Sequence, residues 1–215
     1  MKKNLTELVF ILDRSGSMAG LEEDTIGGFN AMIRKQREEA GEACISTILF
    51  DNHSEVIHDR LPLDRVPALT RKEYYVRGCT ALLDAVGEAV RHIANVHKYA
   101  REEDRPEKTL FVITTDGMEN ASRRYSYEQV RALIGEQKDR YGWEFLFLGA
   151  NIDAAREAAR FGIAQDRAAD YHADRRGTGV VYEAVCDTVS DFRSHRPMSA
   201  GWKKKIDRDF HSRKK

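Results

Sequence analysis

Short apolar runs alternate with longer amphipathic segments along the chain. Two runs, at residues 8–12 and 110–113, are apolar at every position, which is typical of strands buried on both faces. The segment at residues 82–99 instead spaces its apolar residues at helical period. The same pattern predicts further strands at residues 44–50, 144–148 and 168–171, and further helices at residues 21–39, 127–141, 154–161 and 179–195.

Strands that alternate with helices predict an α/β protein, in which helices cover both faces of a mostly parallel central sheet. Residues 54–63 form the exception, because only residues 51–53 separate them from the strand at 44–50. This short connection predicts a hairpin and one antiparallel edge strand. No internal repeat or proline-rich linker divides the sequence, so we expect a single domain at residues 1–200 and a basic tail at residues 201–215.

Side chains that carry oxygen atoms follow the predicted strands. Asp13, Ser15 and Ser17 come directly after the first apolar run, and Asp116 comes after the run at 110–113. Thr80 stands at the junction between a loop and the helix at 82–99. Because the carboxyl ends of neighbouring parallel strands meet in one crevice, we expect these five side chains to converge if their strands are adjacent.

Three hydroxyls and two carboxylates form a donor set suited to Mg²⁺, which prefers oxygen ligands and tolerates few direct carboxylates. The set contains no cysteine or histidine, so zinc and the softer metals are disfavoured, whereas Mn²⁺ fits the same oxygen donors. Each part alone also fits a simpler role, since Ser-Gly-Ser and Asp-Gly are common in turns and Thr80 could cap a helix. The joint pattern is what predicts a metal site.

In these residues the chain resembles a von Willebrand factor type A domain with a metal-ion-dependent adhesion site. The resemblance rests on Asp13-x-Ser15-x-Ser17, Thr80 and Asp116, and it extends from about residue 5 to about residue 195. It also includes Phe50-Asp51 and Asp116-Gly117-x-Glu119-Asn120, and it departs at Cys79, where a glycine is common.

The resemblance implies a three-layer, Rossmann-like fold with metal ligands at Asp13, Ser15, Ser17, Thr80 and Asp116. In that family the serines and threonine usually bind the metal directly, and the aspartates bind it directly or through water. The remaining coordination position is open to a glutamate or aspartate of a partner. Intracellular bacterial relatives often work beside AAA+ ATPases, so such an ATPase is one expected class of partner.

We therefore expect a metal-dependent protein-binding module rather than an enzyme. A Mg²⁺-dependent phosphohydrolase or phosphotransferase is the alternative, but the acid that would assist an aspartyl nucleophile is replaced by Ser15. The sequence also has no Gly-x-x-x-x-Gly-Lys phosphate loop. A third alternative is a cation that only stabilises the loops.

Charge and cysteine content limit the expected binding partners and the expected cellular compartment. The chain carries 35 basic and 35 acidic residues, which removes any global electrostatic argument for nucleic acid or an anionic membrane. Its three cysteines are few, odd in number and widely spaced, which favours a reducing compartment. Glu7 and Asp13 limit the first apolar run to five residues, too short for a signal peptide, so we expect a cytoplasmic protein.

Several other residues have more than one interpretation. The basic segment at 201–215 could bind an acidic protein or nucleic acid, but we expect it to be mostly solvated, although Trp202 and Phe210 indicate that part of it packs. His92 and His97 are five residues apart on one predicted helix and are expected at the surface rather than as shared ligands. Glu119 and Asn120 could support the metal site, or Asn120 could cap a turn.

Overall fold

The computed structural model describes residues 1–213. Within that range the chain alternates strands and helices, with one hairpin between β2 and β3. The strands are β1 (Lys2–Asp13), β2 (Glu42–Phe50), β3 (Ser54–Pro62), β4 (Pro106–Thr115), β5 (Glu144–Ala150) and β6 (Ala168–Tyr171). The α-helices are α1 (Glu22–Arg37), α2 (Leu82–Tyr99), α3 (Tyr127–Tyr141), α4 (Ala154–Arg160), α5 (Arg175–Arg193) and α6 (Lys204–Ser212).

The strands form one sheet in the order β3-β2-β1-β4-β5-β6. Every neighbouring pair is parallel except β2 and β3, which are antiparallel. The predicted α/β architecture with one antiparallel edge strand is therefore confirmed. In the register, Asp13 lies opposite Phe50, and Thr115 lies opposite Gly149. The carboxyl ends of β1, β4 and β5 consequently lie side by side at one edge of the sheet.

Alternate residues of β1 supply the two faces of the core. Leu8, Phe10 and Leu12 belong to an apolar cluster that also contains residues of α1 and α5. Val9 and Ile11 belong to a second cluster with residues of α2, α3 and α4. All five are at most 1% exposed, which explains why the run is continuously apolar and why the fold has three layers.

The ends of α3 and α5 follow local capping chemistry. Ser126 and Gln129 form a capping box at the start of α3, and Gly142 ends that helix in a left-handed conformation at φ 65°. Asp174 caps α5 by accepting a hydrogen bond from the Gly177 N–H at 2.8 Å. Its carboxylate places the start of α5 at Arg175, four residues before the predicted start.

The C-terminal segment is folded through residue 213. Helix α6 packs against β6 and α5, with Ile206 only 1% exposed. The prediction of a mostly solvated segment is therefore wrong for residues 201–213. Trp202, which indicated that part of the segment packs, does contact the domain, since its indole N–H donates to the Asp166 carbonyl at 2.7 Å. Lys214 and Lys215, which belong to the predicted basic tail, lie outside the described residues.

The two histidines of α2 differ from each other. His92 is exposed, as predicted, and contacts Asp59 at 2.8 Å. His97 is not a free surface residue, because its Nε2 lies 2.6 Å from Oε2 of Glu7, a carboxylate that is fully buried in β1. The sequence pattern could not show this pairing, which joins residues 90 positions apart. None of the helices within residues 1–213 has the length and apolar character needed to cross a membrane.

Candidate metal centre

Asp13 ends β1 and links it to the neighbouring strand β4. Its Oδ1 accepts a hydrogen bond from the Ser15 N–H at 2.7 Å. Its Oδ2 accepts from the Thr115 hydroxyl at 2.7 Å and from the Asp116 N–H at 3.3 Å. The Asp13 side chain is therefore fixed in a buried position at the point where the two strand ends meet.

The three predicted hydroxyls form one hydrogen-bonded cluster beside this carboxylate. The Ser15 and Ser17 hydroxyl oxygens are 3.1 Å apart, and the Thr80 hydroxyl donates to Ser15 Oγ at 3.1 Å. The simpler roles are not used, because Ser15 makes no side-chain cap for the short 3-10 turn that follows it and Ala81, rather than Thr80, precedes α2 as its N-cap residue. The hydroxyls are thus directed at one another instead of at local backbone groups.

Asp116 and Gly117 close the same crevice from β4. Asp116 is 2% exposed, and its Oδ1 accepts a hydrogen bond from the Asn151 carboxamide. A Cβ atom added to Gly117 would lie 3.6 Å from Ser17 Oγ and 3.7 Å from Thr80 Oγ1. A larger residue at 117 would therefore occupy the space that faces the two hydroxyls, which glycine leaves open.

Burial makes both carboxylates costly to ionise without a partner charge. Burial raises the pKa of Asp13, although hydrogen bonds from Ser15 and Thr115 oppose the rise. Burial also raises the pKa of Asp116; the Asn151 hydrogen bond opposes this, and the nearby charge of Asp13 adds to it. A divalent cation held by these residues would favour the ionised form of both groups.

A buried arginine holds the first loop in place. Arg14 is fully buried, and its Nε donates to Asp51 Oδ2 at 2.9 Å, while its Nη1 donates to the Glu73 carbonyl at 3.0 Å. Burial opposes ionisation of Asp51, but hydrogen bonds from Arg77, the His53 N–H and Arg14 outweigh it and lower the pKa of Asp51. The loop that carries Ser15 and Ser17 is thereby tied to the turn between β2 and β3.

Glu119 and Asn120 position Thr80 and the start of α2. The Asn120 side-chain oxygen accepts from the Thr80 N–H at 2.9 Å, and the Asn120 N–H donates to the Thr80 carbonyl at 3.1 Å. Helix α2 has no cap from its own N-cap residue, and Glu119 Oε2 instead accepts from the Leu83 N–H at 2.8 Å. Asn120 therefore holds the backbone of Thr80, while its role in supporting a metal site stays a prediction.

Cys79 stands where related sites commonly have a glycine, and the preceding residue explains why this loop tolerates a cysteine. Gly78 has φ 69°, and a Cβ atom there would lie 2.0 Å from the Asn52 side-chain oxygen. That oxygen accepts a hydrogen bond from the Cys79 N–H at 2.9 Å. The conformational freedom that this loop requires is therefore supplied by Gly78, and Cys79 is an exposed residue beside the site.

Sequence reasoning missed three residues that hold the site together: Arg14, Thr115 and Asn151. Asn151 directly follows β5, so the argument that found Asp13 and Asp116, polar residues after parallel strands, also applies to it. Thr115, the last residue of β4, is likewise a polar residue at a strand end, directly before Asp116. No sequence signal distinguishes the buried Arg14 from a solvated arginine.

The donor set fits a hard divalent cation. Within residues 1–213 no group of three or more His, Cys, Asp or Glu side chains is placed to hold a metal ion. The crevice instead offers hydroxyls with two carboxylates, the oxygen donors that suit Mg²⁺ or Mn²⁺.

Solved structures share this fold at low sequence identity. Proximal thread matrix protein 1 from the mussel byssus, in a structure with a zinc-occupied MIDAS motif, superposes with a TM-score of 0.58 and 13% identity over 86% of this chain and 46% of that chain. A von Willebrand factor type A structure from Catenulispora acidiphila gives a TM-score of 0.57 and 12% identity over 86% of this chain and 42% of that one. A mutant of the PilB minor pilin from Streptococcus sanguinis gives a TM-score of 0.60 and 11% identity over 89% of this chain and 63% of that chain.

The chain thus has the von Willebrand factor type A fold, as its resemblance implied. It spans about half the length of the mussel protein. By sequence, the chain matches no family model and no curated protein.

Proposed function

We propose that this chain is a protein-interaction module whose divalent cation binds an acidic side chain of a partner. Asp13, Ser15, Ser17, Thr80 and Asp116 would hold the cation, which we propose to be Mg²⁺ or Mn²⁺. When bound, it supplies a positive charge to which a glutamate or aspartate of the partner coordinates. The single observation that carries this proposal is the cluster of three mutually hydrogen-bonded hydroxyls beside two buried carboxylates.

Charge balance supports a role in binding an anion. The two carboxylates only neutralise a divalent cation, and the hydroxyl ligands add no negative charge. Gly117 leaves space beside Ser17 and Thr80, where a ligand could approach. A cation in this partly dry crevice would therefore retain affinity for an incoming carboxylate.

We propose a binding role and not catalysis. The residue two positions after Asp13 is Ser15, whose hydroxyl belongs to the cluster and cannot act as the general acid beside an aspartyl nucleophile.

The absence of disulfides among the three free cysteines supports a cytoplasmic setting, in which an AAA+ ATPase is one class of partner that could present the acidic residue.

The test is the binding of a short labelled peptide that carries one glutamate among glycines and serines, measured by fluorescence anisotropy with Mg²⁺ and with EDTA. We expect binding only with the metal. Ser17→Ala should weaken it about tenfold or more, a change of about 1.4 kcal/mol or more. Ser17 is exposed and its hydroxyl hydrogen-bonds only with Ser15 Oγ among the described residues, so we expect its removal to leave the fold intact.

Ser194→Ala is the matched control, since Ser194 is an exposed serine at the end of α5, remote from the site. The glutamine version of the peptide controls for the carboxylate and should not bind. Equal binding in EDTA, or equal binding by Ser17→Ala and wild type, would contradict the proposal.

A further inference from the structure

We propose that the partner's acidic residue lies within an acidic segment, and that additional carboxylates of this segment bind a cationic cleft next to the metal centre. This inference rests on the proposed function and adds the chemistry of the partner. The cleft has a volume of ≈ 1060 Å³. Its cationic side chains are Arg77, Arg123 and Arg124.

The cleft adjoins the metal centre directly. Gly78 and Cys79, which line it, immediately precede Thr80 in the chain. Asn120, which also lines it, holds the Thr80 backbone with two hydrogen bonds. An extended peptide advances about 3.3 Å per residue. Residues that follow or precede a metal-bound glutamate by a few positions would therefore reach the cleft.

The acidic groups of the cleft are already neutralised or hydrogen-bonded. Asp51 is 1% exposed and pairs with Arg14 and Arg77. Asp84 is 6% exposed and accepts hydrogen bonds from the backbone N–H groups of Arg123, Arg124 and Tyr125, each at 2.9 Å. Neither carboxylate presents its charge openly to a ligand.

The arginines, in contrast, extend toward solvent. The Arg77 side chain is 47% exposed although it pairs with Asp51, and that of Arg124 is 59% exposed although it pairs with Glu88. Arg123 is exposed, and its guanidinium forms no ion pair with any residue in the range 1–213. The solvent-facing charge of the cleft is therefore positive, which complements carboxylates.

The test compares two peptides in Mg²⁺ at low salt: the single-glutamate peptide and one that adds three aspartates on each side of the glutamate. Wild type should bind the acidic peptide more tightly, since each exposed ion pair contributes about a two- to fivefold gain. Arg123→Glu should weaken the acidic peptide about fivefold or more and leave the single-glutamate peptide within about twofold. Arg34→Glu, an exposed arginine of α1 on the opposite face of the sheet, should change neither affinity.

A second readout locates the peptide. Cys79 lines the cleft and is the one exposed cysteine, because Cys44 and Cys186 are buried. A neutral alkylating reagent such as iodoacetamide should modify Cys79 alone. The acidic peptide should slow this reaction in wild type and should slow it less in Arg123→Glu.

Equal affinity of wild type for the two peptides, or equal loss of both in Arg123→Glu, would overturn the cleft proposal while leaving metal-dependent binding in place. If the single-glutamate peptide fails to bind but the acidic peptide binds and depends on Arg123, the metal-dependent contact fails, and only the binding of acidic segments by the cleft stands. A single-stranded oligonucleotide that binds more tightly than the acidic peptide, through Arg123, would overturn the choice of an acidic protein segment.

Discussion

Arg14 shows how a residue between two candidate ligands can determine the shape of the site. It lies between Asp13 and Ser15, yet its buried side chain donates to Asp51 and to the Glu73 carbonyl instead of to either neighbour. Besides Asp51, it pairs with Glu55 at 2.7 Å, and its guanidinium lies 5.2 Å from the centre of the Tyr75 ring. One side chain therefore connects the first loop to the β2–β3 turn and to the segment before Gly78.

Replacing Arg14 by alanine should lower the free energy of unfolding by about 3–5 kcal/mol, because it breaks a buried ion pair and leaves Arg77 as the remaining cation paired with Asp51. Urea denaturation monitored by circular dichroism measures the change. Arg34→Ala, at an exposed position of α1, should stay within about 0.5 kcal/mol of wild type. A loss below about 1 kcal/mol in Arg14→Ala would show that the network does not stabilise the loop.

At the scale of elements, the site is built by strand ends and by one loop that replaces a helix cap. Helix α2 begins beside Thr80 without a side-chain cap of its own, and Glu119 Oε2 and Ser122 Oγ accept the N–H groups of Leu83 and Asp84. The loop after β4 thus fixes the start of α2 and, through Asn120, the Thr80 backbone. A substitution in this loop would act on both.

Helix α6 is a structural element of the domain. Part of the positive charge in and beside this helix is paired within the domain: Lys205 contacts Glu183 and Asp187, and Arg213, which directly follows the helix, contacts Asp174 and Asp209. Lys203 Nζ donates to the carbonyls of Gln165 and Ala168. These contacts leave less positive charge for nucleic acid than the sequence of the segment indicates.

Ile206→Ala should lower the free energy of unfolding by about 2–5 kcal/mol, because it opens a cavity where α6 packs on β6 and α5. Thermal or urea unfolding measures this loss. Arg208→Ala, two residues later on the exposed side of α6, is the matched control and should change stability by less than about 0.5 kcal/mol. If the two variants were equally stable, α6 would not be docked in solution.

At the scale of the whole molecule, the sequence contained most of the fold. Helices α2 and α3 have the predicted bounds, since strong periodicity and a capping box mark them. The α/β alternation indicated a mostly parallel sheet. It did not specify the order of the strands, because that order depends on pairing between distant parts of the chain. The docking of α6 was missed because the terminal segment is rich in charge and buries few residues, Ile206 and Asp209 among them.

The candidate site was predictable to a similar degree. The structure brings Asp13, Ser15, Ser17, Thr80 and Asp116 together at the adjacent ends of β1 and β4, while their role as metal ligands stays a prediction. The supporting residues, such as Asn151 and Arg14, depend on contacts between distant parts of the chain, which the one-dimensional pattern does not specify.

The most direct test of the central claim is isothermal titration of Mn²⁺, and then Mg²⁺, into metal-free protein. Wild type and Ser194→Ala should bind one equivalent of the cation with equal affinity. Ser17→Ala should bind it about tenfold or more weakly, because one of the oxygen donors is removed while the fold is kept. Absence of binding in wild type, or unchanged affinity in Ser17→Ala, would contradict a metal site at these residues.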